Sequence, residues 1–563
     1  MKTRQAGISE INQNPNFSVL IVGAGVNGIG TFRDLALQGV DVLMVDRQDF
    51  CAGASMASSH MLHGGIRYLE NAEFRLVREA LAERNRLLRN APHYAKPLPT
   101  TIPMYKLLSG VLNAPLKFLG LLDRPSERGA LIIKLGLMMY DAYVRGDSPM
   151  PEHTFHSRKE ALNLWPDLNP EIRFTATYYD GAMPTPERLC MDMIDDTESM
   201  GARAVALNYC PLVGIEDGKP VLRDELSGET FTVETSVLVN AAGPWIDFVN
   251  EDLSRETTYI GGTKGSHLIL DNPELRKAIG DHEFFFENDD GRIVLIFPFE
   301  DKLQIGSTDI RIDNPDEAVC TKDEEQYILD MVPKIFPDIE VDPSQIVFKF
   351  SGVRPLPYNG VGFTGQISRD HHMEVVEADS QVPFPILSLV GGKWTSFRAF
   401  SEQVTDAVLE RLGESRTEST EELPIGGGRE FPLTPESQYQ WSLEQSENTG
   451  LSIRRIQSLL TRYGTRAKEI IGFLGEGEDR PLQSLPDYSV REARFLVQEE
   501  KIVHLEDFLL RRSLIAWLGQ ASSELLEELA EIIGEELGWS PEKHSQEIAR
   551  TEAILTQNHG VAL

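Results

Sequence analysis

Hydrophobic and polar positions along this chain fall into three regimes. Near the start, the apolar run Val19-Leu20-Ile21-Val22 reads as a buried strand and Gly23 to Gly28 as a glycine turn opening a helix. Val42-Leu43-Met44-Val45 reads as a second strand, ending in Asp46. From about 72 to 91, Phe74, Leu76, Val77, Ala80, Leu81, Leu87 and Leu88 recur on one helical face, and Asn90 and Pro92 stop the helix. A β-rich block covers 259–270, 284–287, 293–298 and 303–306, with Asn288-Asp289-Asp290-Gly291 as a hairpin turn. The third regime is helical. It follows a linker at Leu423-Pro424-Ile425-Gly426-Gly427-Gly428 and includes Ser523–Leu537, with Leu526, Leu529, Ile533 and Leu537 at helical spacing. Residues 1–15 are polar and read as loose, and no internal repeat is visible.

Composition narrows the picture. At 563 residues, two or three domains with ample buried core are expected. A net charge of −33 argues against general nucleic-acid binding. Cys51, Cys190, Cys210 and Cys320 are scattered without a CxxC pair, which suits a reducing compartment and speaks against a disulfide framework or a zinc site. His153, His156, His371 and His372 lack cysteine or carboxylate support, so they read as surface histidines and no metal is expected. Nothing is long and apolar enough to span a bilayer, and Lys2 and Arg4 are not followed by the apolar run of a secretory signal.

The N-terminal unit carries the first chemistry. Gly23 permits a tight turn after the strand, Gly25 lets backbone N–H groups approach a pyrophosphate, and Gly28 lets helix and strand pack closely. Asp46, eighteen positions after Gly28, offers a carboxylate to ribose hydroxyls. FAD or NAD is the implied ligand. Three later segments favour FAD, because a permanently held flavin needs further walls. They are the stretch after the second strand, with Ser55, Ser58 and Ser59; the strand end with Ala241 and Gly243; and the Gly391-Gly392 break leading to Thr395. A Gly-Gly pair at a helix start also presents backbone N–H groups to an anion or a flavin carbonyl.

Five strings then occur in order: His63-Gly64-Gly65-Ile66-Arg67-Tyr68-Leu69-Glu70, Lys264-Gly265-Ser266-His267, Gly306-Ser307-Thr308-Asp309, Ser351-Gly352-Val353-Arg354-Pro355-Leu356 and Gly391-Gly392-Lys393. They resemble the FAD-dependent glycerol-3-phosphate dehydrogenases of the respiratory type. The likeness runs from about residue 17 to about 520 and includes Tyr463-Gly464 and Arg511-Arg512. It implies a mixed α/β and α+β fold, with a Rossmann-like FAD-binding domain at 16–98, 151–255 and 346–415. An antiparallel β-sheet substrate domain at 256–345 would be interleaved with it, and a linker at 416–430 would lead to a helical C-terminal domain at 431–563. Calcium loops with spaced acids are absent, so the calcium-regulated mitochondrial form is not supported.

Residues 99–150 are expected to form an insertion that contacts the membrane. Gly110, Pro115 and Gly120 break its apolar run, and between 99 and 146 six basic residues face three acidic ones. Such a segment suits a monotopic contact with anionic head groups, although a buried helical pair inside the protein is the competing reading. The resemblance supports the membrane contact.

Oxidising an alcohol to a ketone with flavin needs a base, a grip on the substrate anion and positive charge near the flavin. Arg354 ends an apolar strand, where an arginine is either functional or paired to an internal acid. With the resemblance, Arg354, Arg67 and Arg369 are assigned to phosphate, whose oxygens suit the guanidinium fork. His267 is the candidate base, against a purely structural histidine. Lys393 would place a cation near flavin or substrate, and Tyr68 and Thr308 would hydrogen-bond behind them. His63 and Gly64 belong to the flavin-binding set. His60 stands where the family has lysine, so a fixed positive charge is expected to be lost there.

The expected activity is oxidation of sn-glycerol 3-phosphate to dihydroxyacetone phosphate, with electrons passed to membrane quinone. The expected setting is the cytoplasm, peripheral on the inner face of the membrane, and a homodimer is compatible with it. The alternatives are a peroxide-forming glycerol-3-phosphate oxidase and an FAD oxidase of amino or hydroxy acids.

Overall fold

In this computed structural model, residues 1–65, 73–106, 133–134, 136–138, 140, 150–288, 292–358 and 370–563 are described. The solid apolar runs become inner strands of a six-stranded sheet, covered on both faces. Its order is His372–Val376, Ile386–Val390, Glu234–Asn240, Asn16–Val22, Val42–Val45 and Ala204–Leu207. All neighbours pair in parallel except the edge strand His372–Val376. Helices Val26–Leu37, Pro186–Glu198 and Phe397–Leu412 pack together over one face, burying Ile29, Phe32, Met193, Phe400 and Val404. This layering explains why these strands read as continuous apolar runs rather than as alternation.

The second sheet has ten strands. Its main path is Ile310–Arg311, Thr263–Leu270, Lys302–Gly306, Ile293–Phe299, Glu283–Glu287, Lys96–Met104, Phe174–Ala182 and Met61–Leu62. Ile346–Arg354 also pairs with Thr263–Leu270, and Thr154–Ser157 with Phe174–Ala182. The strands expected between 259 and 306 form within a few residues of their expected ends, while the hairpin turn at Asp289–Gly291 lies outside the described residues. The sheet draws on more of the chain than 256–345. Lys96–Met104 and Phe174–Ala182 run side by side through nine paired positions, so the segment expected to start a membrane insertion at 99 begins as a sheet strand. Strand Ile346–Arg354, expected in the FAD-binding unit, likewise joins this sheet because its backbone completes the free edge of Thr263–Leu270.

Two other expectations change. Residues 1–15 are not loose: Arg4–Gln13 is a helix capped by Thr3, with Gly7 and Ile11 buried against the parallel sheet. Polar composition hid this, because one apolar face suffices to dock a ten-residue helix. The 416–430 segment is packed rather than free. The Ile425 N–H donates to the Asn90 carbonyl at 2.9 Å, and Arg33 donates to the Pro424 carbonyl at 2.8 Å.

Beyond it, six helices of nine or more residues, from Pro435–Thr449 to Pro541–Ala553, share one core with the ten-stranded sheet. Ile269, Phe348 and Phe350 of that sheet join Leu459, Leu509, Trp517 and Leu529. Helix Ser523–Leu537 forms as expected, with Leu526, Leu529 and Ile533 buried and Leu537 exposed. Each such fully buried leucine or isoleucine contributes about 1.5–3 kcal/mol of transfer free energy. Among the described residues, no helix is long and apolar enough to cross a membrane.

Candidate active site

The parallel sheet ends at a cleft of about 610 Å³. Its walls include Gly23, Gly25, Asp46, Ser55, Ala241, Gly243, Gly391, Gly392 and Lys393, so segments far apart in sequence converge as expected. The glycines are there for contact as well as for turning. Gly23 has φ +107, and a Cβ on it would lie 2.6 Å from the Ala241 carbonyl. A Cβ on Gly28 would lie 2.0 Å from the Gly23 carbonyl oxygen, which is the close helix–strand packing the pattern demands. Asp46 accepts the N–H groups of Ala24 at 2.6 Å and Gln48 at 2.9 Å, and desolvation pushes its carboxyl up to about 6. Ser55 Oγ accepts the Val26 N–H at 2.9 Å, and the Ser55 carbonyl accepts Trp394 Nε1–H at 2.8 Å.

Ser58, Ser59, His63, Gly64 and Thr395 are not among the lining residues of this cleft but sit beside it. Thr395 Oγ1 donates to the His63 carbonyl at 3.2 Å, and Ser58 Oγ accepts the His60 N–H at 3.1 Å. The Gly64 N–H donates to Asp180, whose same oxygen receives Arg84 and Tyr140. Strand Ile346–Arg354 rests directly on this region, since a Cβ on Gly352 would lie 2.3 Å from the Ala57 carbonyl oxygen. Pro355, next to Arg354, lines the cleft itself.

On the ten-stranded sheet His267 and Arg354 come together. Arg354 pairs in register with Thr263, and its guanidinium lies over Gly265, where a Cβ would come within 2.2 Å of it. His267, two residues on and so on the same face of that strand, lies over Gly306. Its Nε2 is 3.1 Å from Ser59 Oγ, and its ring stacks on Phe350 at 5.0 Å. Burial first, then the Arg354 charge and His60, hold its pKa well below the ordinary histidine value, so the imidazole is neutral. Arg354 forms an ion pair with Asp309 at 3.3 Å and donates to Ser307 Oγ and the Thr308 carbonyl. Its side chain is only partly exposed and is already paired with an acid.

Thr308 also does structural work. Its hydroxyl donates to Glu324 at 2.7 Å and accepts the Ser266 N–H, while Lys264 and Ser266 bond the same carboxylate. His60 is buried among Phe299, Phe350 and Trp517, with its Nε2 at 3.0 Å from the Met56 carbonyl. Desolvation lowers its pKa to about 4, so the position is uncharged. Trp517 comes from a turn of the C-terminal helical region, and no local pattern could have announced it. His371, expected at the surface, is buried against Phe400, and burial lowers its pKa to about 4. Arg67, Tyr68 and Arg369 lie outside the described residues.

Glycines that exclude any side chain, a carboxylate at the second strand tip and a cleft at the carboxyl ends of parallel strands fit the pyrophosphate and ribose of a dinucleotide. This fold and cleft define an FAD-dependent oxidoreductase. Residues 18–384 match the family model of FAD dependent oxidoreductases, and residues 418–544 match the C-terminal domain of alpha-glycerophosphate oxidase. A glycerol-3-phosphate dehydrogenase of Synechocystis is 32% identical, over 97% of each chain. One of Pseudomonas aeruginosa is 31% identical, over 88% of this chain and 91% of that one. A solved structure of the Bacillus halodurans glycerol-3-phosphate dehydrogenase complexed with FAD superposes with a TM-score of 0.76 at 22% identity, covering 99% of this chain and 97% of that one. The chain belongs to the FAD-dependent glycerol-3-phosphate dehydrogenase family.

Proposed function

We propose that the chain oxidises sn-glycerol 3-phosphate to dihydroxyacetone phosphate where the cleft meets the ten-stranded sheet, and passes the electrons to membrane quinone. The observation that carries this reading is the shared face of Arg354 and His267. Bound FAD supplies the hydride acceptor. Neutral His267, held by Ser59, takes the hydroxyl proton on an imidazole nitrogen. Arg354, with Arg67 and Arg369, grips the phosphate through paired charge-assisted bonds. Lys393, on the cleft wall, holds positive charge toward the flavin and substrate. Gly23, Gly25, Gly28, Asp46 and the later glycine turns hold the dinucleotide.

The acceptor reading rests on the apolar and basic residues that follow strand Lys96–Met104, up to 150, which would bring a peripheral enzyme to the cytoplasmic face of the membrane. Steady-state turnover of sn-glycerol 3-phosphate with a short-chain quinone, compared with oxygen, tests it. Faster turnover with quinone supports the dehydrogenase. Stoichiometric peroxide with no quinone reduction would assign an oxidase. Deleting 106–122 is expected to release the protein from membranes while artificial-dye reduction persists.

A further inference from the structure

Three side chains outside every motif described above meet on the dinucleotide cleft. Arg47 follows Asp46 at the tip of the second parallel strand, and Trp245 closes the turn Gly243–Trp245. Asp316 lies in the turn Pro315–Glu317, between the ten-stranded sheet's edge strand Ile310–Arg311 and helix Lys322–Leu329. All three line the cleft, together with Gly23, Gly25 and Asp46.

They close on one another. Both carboxylate oxygens of Asp316 accept bonds from Arg47, one of them at 3.3 Å. Trp245 Nε1–H donates to Asp316 at 3.0 Å, and the Arg47 guanidinium lies 4.5 Å from the centre of the Trp245 ring. The arrangement is braced from both sides. Asn314 accepts the Asp316 N–H at 3.1 Å, and the indole leaves only 3.1 Å for a Cβ on Gly53, another cleft residue. Arg47 and Trp245 belong to the parallel-sheet unit and Asp316 to the other half, so this contact bridges two walls of one cleft.

The contact is wet. The side chains of Arg47 and Asp316 are 39% and 50% exposed. A bridge of this kind is modest in strength, is weakened by salt, and can open without unfolding anything.

We propose that Arg47, Trp245 and Asp316 form a clasp over the cofactor cleft that governs how fast FAD leaves, which makes FAD retention by this chain dependent on ionic strength. The inference rests on the family's FAD and not on the substrate or the acceptor. A dinucleotide held at Gly23, Gly25 and Asp46 shares its cleft with the clasp, so opening the clasp is a step on the way out.

The test uses the holoenzyme, with one FAD per chain established first for the native protein and each variant. That measurement keeps loss of the clasp apart from loss of the site. Phosphodiesterase in the solution cleaves released FAD, and the rise in flavin fluorescence gives the release rate. At low salt, Asp316→Ala and Arg47→Gln are expected to release FAD about three- to tenfold faster than the native protein. Trp245→Phe, which keeps a ring but loses the N–H donor, should fall between. At about 1 M salt, where the screening length is about 3 Å, native release should approach that of Asp316→Ala, which itself should barely respond. Variants that release FAD at the native rate, or native release indifferent to salt, would overturn the clasp.

Discussion

Asp49 receives both terminal nitrogens of Arg512, at 2.8 and 3.0 Å, across more than four hundred and fifty positions of sequence. Arg511 Nε bonds the same carboxylate at 2.6 Å, and Asn208 Nδ2 bonds it at 2.9 Å. Asp49 lies just beyond the second parallel strand and both arginines lie in the C-terminal helices, so a buried charge cluster fastens one half to the other. The arginines hold the Asp49 carboxyl well below the usual carboxylate range.

Removing Arg512 takes its paired bonds from buried Asp49 and leaves the cluster short of one positive charge, with Arg511 and Asn208 as the remaining partners. Arg512→Met is expected to lower stability by about 3–5 kcal/mol. The double change Asp49→Ala with Arg512→Met should cost less than the sum of the two single changes, because the carboxylate that lost its paired bonds is gone. Urea unfolding with flavin and tryptophan signals gives these values. Additive costs would show that the two residues act independently.

His60 gives a pH dependence of definite sign. The unfolded chain binds a proton on this ring from about pH 6.5 downward, and the folded chain only near 4. The stability contributed by the neutral ring is therefore full above pH 6.5 and is lost as pH falls toward about 4, at about 1.4 kcal/mol per pH unit. His60→Gln, which does not titrate, should flatten the acid side of the stability profile by that amount. An unchanged slope would mean the ring is already protonated in the folded protein.

Arg354→Met should lower kcat/KM for sn-glycerol 3-phosphate by roughly thirty- to several-thousand-fold, the equivalent of about 2–5 kcal/mol, with FAD still bound. Asp309, its ion-pair partner, is partly exposed and can be hydrated, so the fold should survive. Unchanged kinetics would take Arg354 out of the site.

His267→Gln should lower kcat by about 10²–10⁴-fold, the usual contribution of a positioned base, with FAD content unchanged. Burial and Arg354 keep the native ring neutral, so its limb in the pH profile of kcat/KM should lie well below pH 6.5. A limb at or above 6.5 that disappears in the variant would contradict this environment.

Local chemistry made much of this readable. Gly23, Gly25 and Gly28 carry their reasons within one strand–helix turn; a β-rich run broken by a hairpin turn marks the strands of 263–306, and apolar residues at helical spacing mark helix Ser523–Leu537. What escaped was set by distant partners. The helix Arg4–Gln13 has few apolar residues and is held by the sheet it meets, and His371 looks like surface beside exposed His372 yet faces Phe400. Strand Ile346–Arg354 reads locally as part of the FAD-binding unit, and only its pairing with Thr263–Leu270 reveals that it joins the ten-stranded sheet. Asp49 beside Arg47 reads as one more loop acid, and its clamp is visible only once Arg511 and Arg512 are brought to it.

The most direct measurement is anaerobic mixing of the FAD-loaded protein with sn-glycerol 3-phosphate while the flavin absorbance is followed. Bleaching with this substrate, and none with glycerol or lactate, is the expected result and establishes substrate, flavin and phosphate recognition together. A flavin that stays oxidised with sn-glycerol 3-phosphate, in protein holding one FAD per chain, would contradict the proposed reaction.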